Sequence, residues 1–97
     1  MEVLEQKGLL REFKSASTKE RAFRELVTAY QERIYWHVRK IVITHDDADD
    51  VTQEVFIKVY KSLENFREDS QLFTWIYRIA TNEALNHLKK IKRRTSL

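Results

Sequence analysis

DDADDVTQEVFIKVYKSLENFREDSQLFTWIYRIATNEALNHLKKIKRR, residues 46–94, decides the fold of this chain. Val51, Val55, Val59 and Leu63 recur every four residues through its first part. Phe73, Ile76, Ile79 or Ala80, Ala84, Leu88 and Ile91 recur at three- and four-residue steps through its second. Side chains at those spacings share one face of an α-helix, so two amphipathic helices are predicted. Between them FREDS (66–70) reads as a polar connection, with Ser70 the candidate cap of the second helix. Just upstream, Thr44 or Asp46 can cap the first helix, and its early carboxylates suit the positive end of the helix dipole.

Working outward, Phe23, Leu26, Val27, Tyr30, Ile34, Val38, Ile41 and Val42 repeat the same periodicity. SASTKE (15–20) precedes them as a turn and helix start, with Ser17 or Thr18 as cap. A weaker amphipathic segment contains Val3, Leu4, Leu9, Leu10 and Phe13, and Gly8 is expected to interrupt it. The predicted fold is all-α. It is a compact single-domain bundle of three long helices (18–43, 46–64 and 71–93), a loop (65–70) and a short N-terminal helix and turn (1–17).

Composition agrees. There is no proline and one glycine among 97 residues, with 34% charged and 42% hydrophobic, as suits packed amphipathic helices. The absence of cysteine excludes disulfides and thiolate metal sites. Apolar runs are too short for a membrane span, and MEVLEQKG has no signal-peptide core, so a soluble cytoplasmic protein is expected. His37, His45 and His87 have no metal-ligand spacing, and His87 is expected to be a packed or surface residue. No nucleophile motif, glycine-rich phosphate loop or HExxH sequence supports catalysis, and no cofactor is implied.

Charge is segregated. DDADDVTQE (46–54) holds five carboxylates and no cation, whereas KKIKRR (89–94) holds five cations and no carboxylate. Residues 75–97 carry a local +5, so the rest sums to −2 within an overall +3. The basic end suits a polyanion and the acidic helix start suits a basic protein surface. On the acidic helix, Asp49, Asp50, Gln53, Glu54, Ile57 and Tyr60 lie opposite Val51 and Val55. Apolar groups rimmed by carboxylates and an amide make a docking patch; alternatively the acids only serve the helix dipole. On the last helix, Trp75, Arg78, Asn82, Asn86 (or Leu85), Lys89 and Arg93 form a polar stripe opposite the core stripe. Such side chains pair with base edges and phosphates, and tryptophan stacks on unpaired bases. The bland alternative puts Trp75 in the core and leaves Arg78 and Lys89 merely solvated. Trp36 falls opposite the core stripe of its helix and is expected under the N-terminal segment, with a partner contact as the lesser reading.

These motifs closely resemble region two of sigma factors of the sigma-70 family, most of all the extracytoplasmic-function (ECF) group. The resemblance runs from about Ala22 to Arg94 and rests on DxxDxxQEVF, NFRxDS, FTWIYRIATN and the basic end taken together. It implies that the DxxDxxQE helix docks on the clamp helices of the largest core RNA polymerase subunit, through Asp50, Gln53 and Glu54 with Tyr60 nearby. It also implies that the following loop (Phe66, Arg67, Asp69, Ser70) and helix (Thr74, Trp75, Arg78, Asn82, Asn86) capture the single-stranded non-template −10 element of the promoter. An anti-sigma factor is a further implied partner. Glu68 stands where the family has glycine, which places a carboxylate beside the implied base pocket. The family's region four, a helix-turn-helix, does not follow within these 97 residues, so an excised domain is expected in preference to a truncated protein. Two other readings are an interaction module that binds polymerase or a regulator without reading DNA, and an unspecific basic bundle. The acidic face argues against the last.

Overall fold

The computed structural model describes residues 3–95. Four helices follow in order: α1 (Val3–Lys14), α2 (Lys19–Arg39), α3 (His45–Ser62) and α4 (Leu72–Thr95), with a 3₁₀ turn at Leu63–Asn65 after α3. Among the described residues there is no strand. The bundle forms because each helix carries one apolar ladder. In α2 and the turn after it the fully covered positions are Ala22, Leu26, Tyr30, Ile34, Val38 and Val42, at strict four-residue steps. Helix α3 adds Ala48, Val51, Val55, Phe56 and Val59, and Leu63 continues the ladder into the 3₁₀ turn. Ala80 and Ala84 on α4 are fully buried, and such small side chains let α4 lie close to its neighbours. Among the described residues, no helix is long and apolar enough to cross a membrane.

The ladder of α4 is Leu72, Ile76, Ala80 and Ala84, one residue earlier at its start than the expected Phe73. Phe73 instead lies half-buried at the edge, with its ring centroid 5.3 Å from that of Tyr30 and the Arg33 guanidinium 4.3 Å above it. The break expected at Gly8 does not occur. Helix α1 runs through it, and a side chain there would meet nothing within 4 Å. Burial of Leu9, Leu10 and Phe13 outweighs glycine's cost of about 1 kcal/mol in a helix. The side chains of Val3 and Leu4, expected in the same core, lie outside the described residues.

The caps differ in detail from expectation. Thr44 caps α3 by accepting from the Asp47 N–H at 3.1 Å. Thr18 occupies the N-cap position of α2 but makes no side-chain cap bond; its hydroxyl donates backwards to the Glu12 carbonyl at 2.5 Å and so closes the α1–α2 turn. At α4 the first helical bond runs from the Trp75 N–H to the Gln71 carbonyl, which puts the cap position at Gln71, not Ser70. The Leu72 N–H is satisfied by Gln6 Oε1 of α1, at 2.8 Å and buried. A helix-end donor left bare in that environment would cost about 1–3 kcal/mol, so Gln6 ties α1 to the start of α4.

Candidate polymerase and nucleic-acid surfaces

Two outward faces collect the residues singled out from sequence. Asp49, Asp50, Gln53, Glu54, Ile57 and Tyr60 are all exposed along α3. The two apolar members border a groove of about 460 Å³ between α2 and α3, whose walls include Phe23, Val27, Gln31, Gln53 and Phe56. Tyr60 is held rather than loose. Its ring lies edge-on to Phe23 at 4.9 Å and to Phe13 at 5.6 Å, and the Lys19 ammonium sits 5.0 Å from its centroid. Lys19 is held in turn by Glu64 at 2.9 Å, a bond that raises its pKa above the usual lysine value. The stripe on α3 gives no sign of the α2 wall, Phe23, Val27 and Gln31. Periodicity reports one helix at a time, and a groove belongs to two.

Along α4, Arg78, Asn82, Asn86, Lys89 and Arg93 are exposed on the face opposite the buried ladder, with Thr74 exposed beside Arg78. Trp75 is half-buried, its ring 5.0 Å from Phe66. That contact folds the 66–70 loop back onto the start of α4. Arg67 and Asp69 are exposed, Ser70 is half-exposed, and the Asp69 N–H reaches the Arg67 carbonyl. Glu68 is exposed and, like every described non-glycine residue, has a negative φ. The loop therefore adopts its path without a glycine at that position.

The seam between the faces sorts charge. Glu83, the only carboxylate of α4, is largely covered and paired with Lys58 of α3. Asp47 Oδ1 of α3 lies 3.2 Å from His87 Nε2 of α4, both half-buried, so His87 is a packed seam residue. Asn86 lies at the meeting point, in a crevice that it shares with Asp50, Glu54 and Lys90. His45 pairs with Asp49 at 3.3 Å and contacts the Tyr35 hydroxyl. Trp36 is not under the N-terminal segment: it is 57% exposed, because α1 packs on other parts of α2 and on the 3₁₀ turn. Among the described residues, no group of three or more His, Cys, Asp or Glu could hold a metal ion.

A family model for sigma-70 region 2 matches residues 26–94. The chain belongs to the sigma-70 region 2 family. Its relatives include an RNA polymerase sigma-H factor of Pseudomonas aeruginosa, 52% identical over 68 residues, covering 70% of this chain and 35% of that protein. An ECF RNA polymerase sigma-E factor of Haemophilus influenzae is 45% identical over 74 residues, covering 76% and 39%. The sigma-E factor of Escherichia coli K12 is 46% identical over 69 residues, covering 71% and 36%. The region 2 chain thus spans little more than a third of the length of the curated relatives it matches. Among solved structures, an engineered region 2 of sigmaE in complex with GTAAAA, determined by NMR, is 35% identical with a TM-score of 0.83 and full coverage of both chains. The helical bundle is the region 2 fold of the ECF group.

Proposed function

We propose that this region 2 domain docks on core RNA polymerase through α3 and captures the single-stranded −10 element of a promoter through α4 and the 66–70 loop. In this reading Asp49, Asp50, Gln53, Glu54, Ile57 and Tyr60 meet the clamp helices of the largest polymerase subunit. Phe66, Arg67, Asp69, Ser70, Thr74, Trp75, Arg78, Asn82, Asn86, Lys89 and Arg93 meet the non-template strand. The observation that carries it is the burial of Glu83 against Lys58. With the one carboxylate of α4 turned inward, the polar groups of the outer face are cations, amides and hydroxyls, which suit a polyanion, while α3 keeps the acids. The solved region 2 with GTAAAA supports the same assignment by likeness.

The mechanism is physical. Unstacked bases held on aromatic rings and amides stabilise an opened strand, and lysines and arginines hold its phosphates. Fluorescence anisotropy with labelled GTAAAA as single strand and as closed duplex tests it. The single strand should bind better, at about the micromolar level expected of so small a surface, and should weaken steeply with salt. Core polymerase should tighten it by adding a second grip on the same strand. Equal binding of duplex and single strand would sink the reading, and affinity unchanged by polymerase would favour an interaction module.

A further inference from the structure

A second cleft, of about 400 Å³, opens between α2 and α4. Arg33, Trp36, His37 and Lys40 line it at positions that share one face of α2, and Phe73 and Tyr77 line it from α4. Glu32 is the one carboxylate at its edge. Trp36 is 57% and Tyr77 40% exposed, so two aromatic rings stand in water where the fold does not need them.

They are nevertheless held in place. Trp36 rests edge-on against Tyr35 at 5.1 Å. His37 stacks on Tyr77 with centroids 3.7 Å apart and planes at 26°. The Thr81 hydroxyl donates to the Tyr77 carbonyl at 3.0 Å, so its 2.7 Å contact with His37 Nε2 requires that nitrogen to carry a proton. Burial, and then the charge of Lys40, push the His37 pKa below the usual imidazole value, which keeps this stack neutral near pH 7. The Arg33 guanidinium is fixed 4.3 Å over the Phe73 ring. Preset rings flanked by cations suit a nucleobase with phosphates on either side.

Position selects the source of that base. Thr74 neighbours Tyr77 at i+3 and Arg78 at i+4, so the cleft adjoins the α4 stripe without a carboxylate between them. We propose that the α2–α4 cleft takes one unstacked base of single-stranded DNA beyond the stretch gripped by α4, stacking it on Trp36 while Arg33 and Lys40 hold the adjoining phosphates. This rests on the strand-binding role of α4 and extends its footprint onto α2.

Anisotropy at fixed salt with two labelled single strands tests it: GTAAAA, and GTAAAA extended by a few thymidines at each end. Trp36→Ala, an exposed position whose loss should leave the melting temperature unchanged, should spare the short strand and weaken the extended one roughly tenfold. Lys40→Ala should lower the salt slope of the extended strand by about one. If Trp36→Ala leaves the extended strand untouched while Asn82→Ala still weakens both strands, the cleft proposal falls and the α4 reading stands. If the parent binds neither strand, the α4 reading fails and the cleft with it. If Trp36→Ala reduces only polymerase capture, the cleft is a protein contact and the proposal is overturned.

Discussion

Helices α3 and α4 face inward alike and outward in opposite ways. Val51, Val55, Val59 and Leu63 repeat at the same four-residue step as Leu72, Ile76, Ala80 and Ala84, all nearly or fully covered. Outside, one helix shows carboxylates beside an apolar groove and the other shows arginine, lysine and asparagine. Each also contains a residue of the wrong sign, Lys58 on α3 and Glu83 on α4, and the fold pairs these two across the seam. The difference teaches that one core can carry two faces of opposite charge when the misfit charges nearest the seam, Lys58 and Glu83, pair between the helices, while Lys61 stays at the far end of α3.

The comparison breaks most completely at the shared core. Ile76 is fully buried on the ladder of α4. Ile76→Ala should cost about 2–5 kcal/mol, read as a lower denaturation midpoint in urea. Strand binding and polymerase binding should then fail together as the folded fraction drops. Loss of one with full retention of the other would mean that the two faces do not depend on a common core.

Replacing Asp50, Gln53 and Glu54 together with alanine separates the faces instead. All three are exposed, so stability should hardly change, while affinity for core polymerase should fall by about 2 kcal/mol or more, some thirtyfold. Binding of GTAAAA should persist. If polymerase binding survives, the acids serve only the start of α3.

A finer contrast lies within α4. Asn82→Ala should relax base preference by roughly 1–3 kcal/mol at one position, whereas Lys89→Ala should weaken every sequence about equally. A panel of single-base variants of GTAAAA distinguishes the two outcomes. Uniform loss for Asn82→Ala would make it a backbone contact.

How far the sequence could be read follows from the range of each interaction. Helices, ladders and the Thr44 cap depend on neighbours within four residues, and periodicity finds them. The Gln6–Leu72 bond joins residues 66 apart, and no local pattern announces that a glutamine will cap another helix. The Gly8 expectation failed for the same reason, because tertiary burial of Leu9, Leu10 and Phe13 overrode a local preference. At the candidate site the outward residues of α3 and α4 were legible as stripes. The α2 walls of both clefts, the Lys58–Glu83 pair and the exposure of Trp36 were not, since each depends on which helix lies alongside.

The smallest effect addresses the seam itself. Half-exposed ion pairs contribute only about 0–1 kcal/mol to stability, so Lys58→Ala should scarcely shift the melting temperature. Its consequence should appear in strand binding. Glu83 would keep its charge without its partner, next in sequence to Asn82 on a helix otherwise free of carboxylates. Affinity for GTAAAA should fall a few-fold below the parent's at low salt, and this gap should narrow as salt screens the unpaired charge. Removing a cation would by itself weaken binding to a polyanion, so Lys58→Ala alone is ambiguous. Adding Glu83→Gln resolves it: if the unpaired carboxylate is the cause, the double variant regains parental affinity although Lys58 is still missing. A double variant as weak as the single one would show that Lys58 contacts the strand directly, and that the seam does not keep the two faces apart.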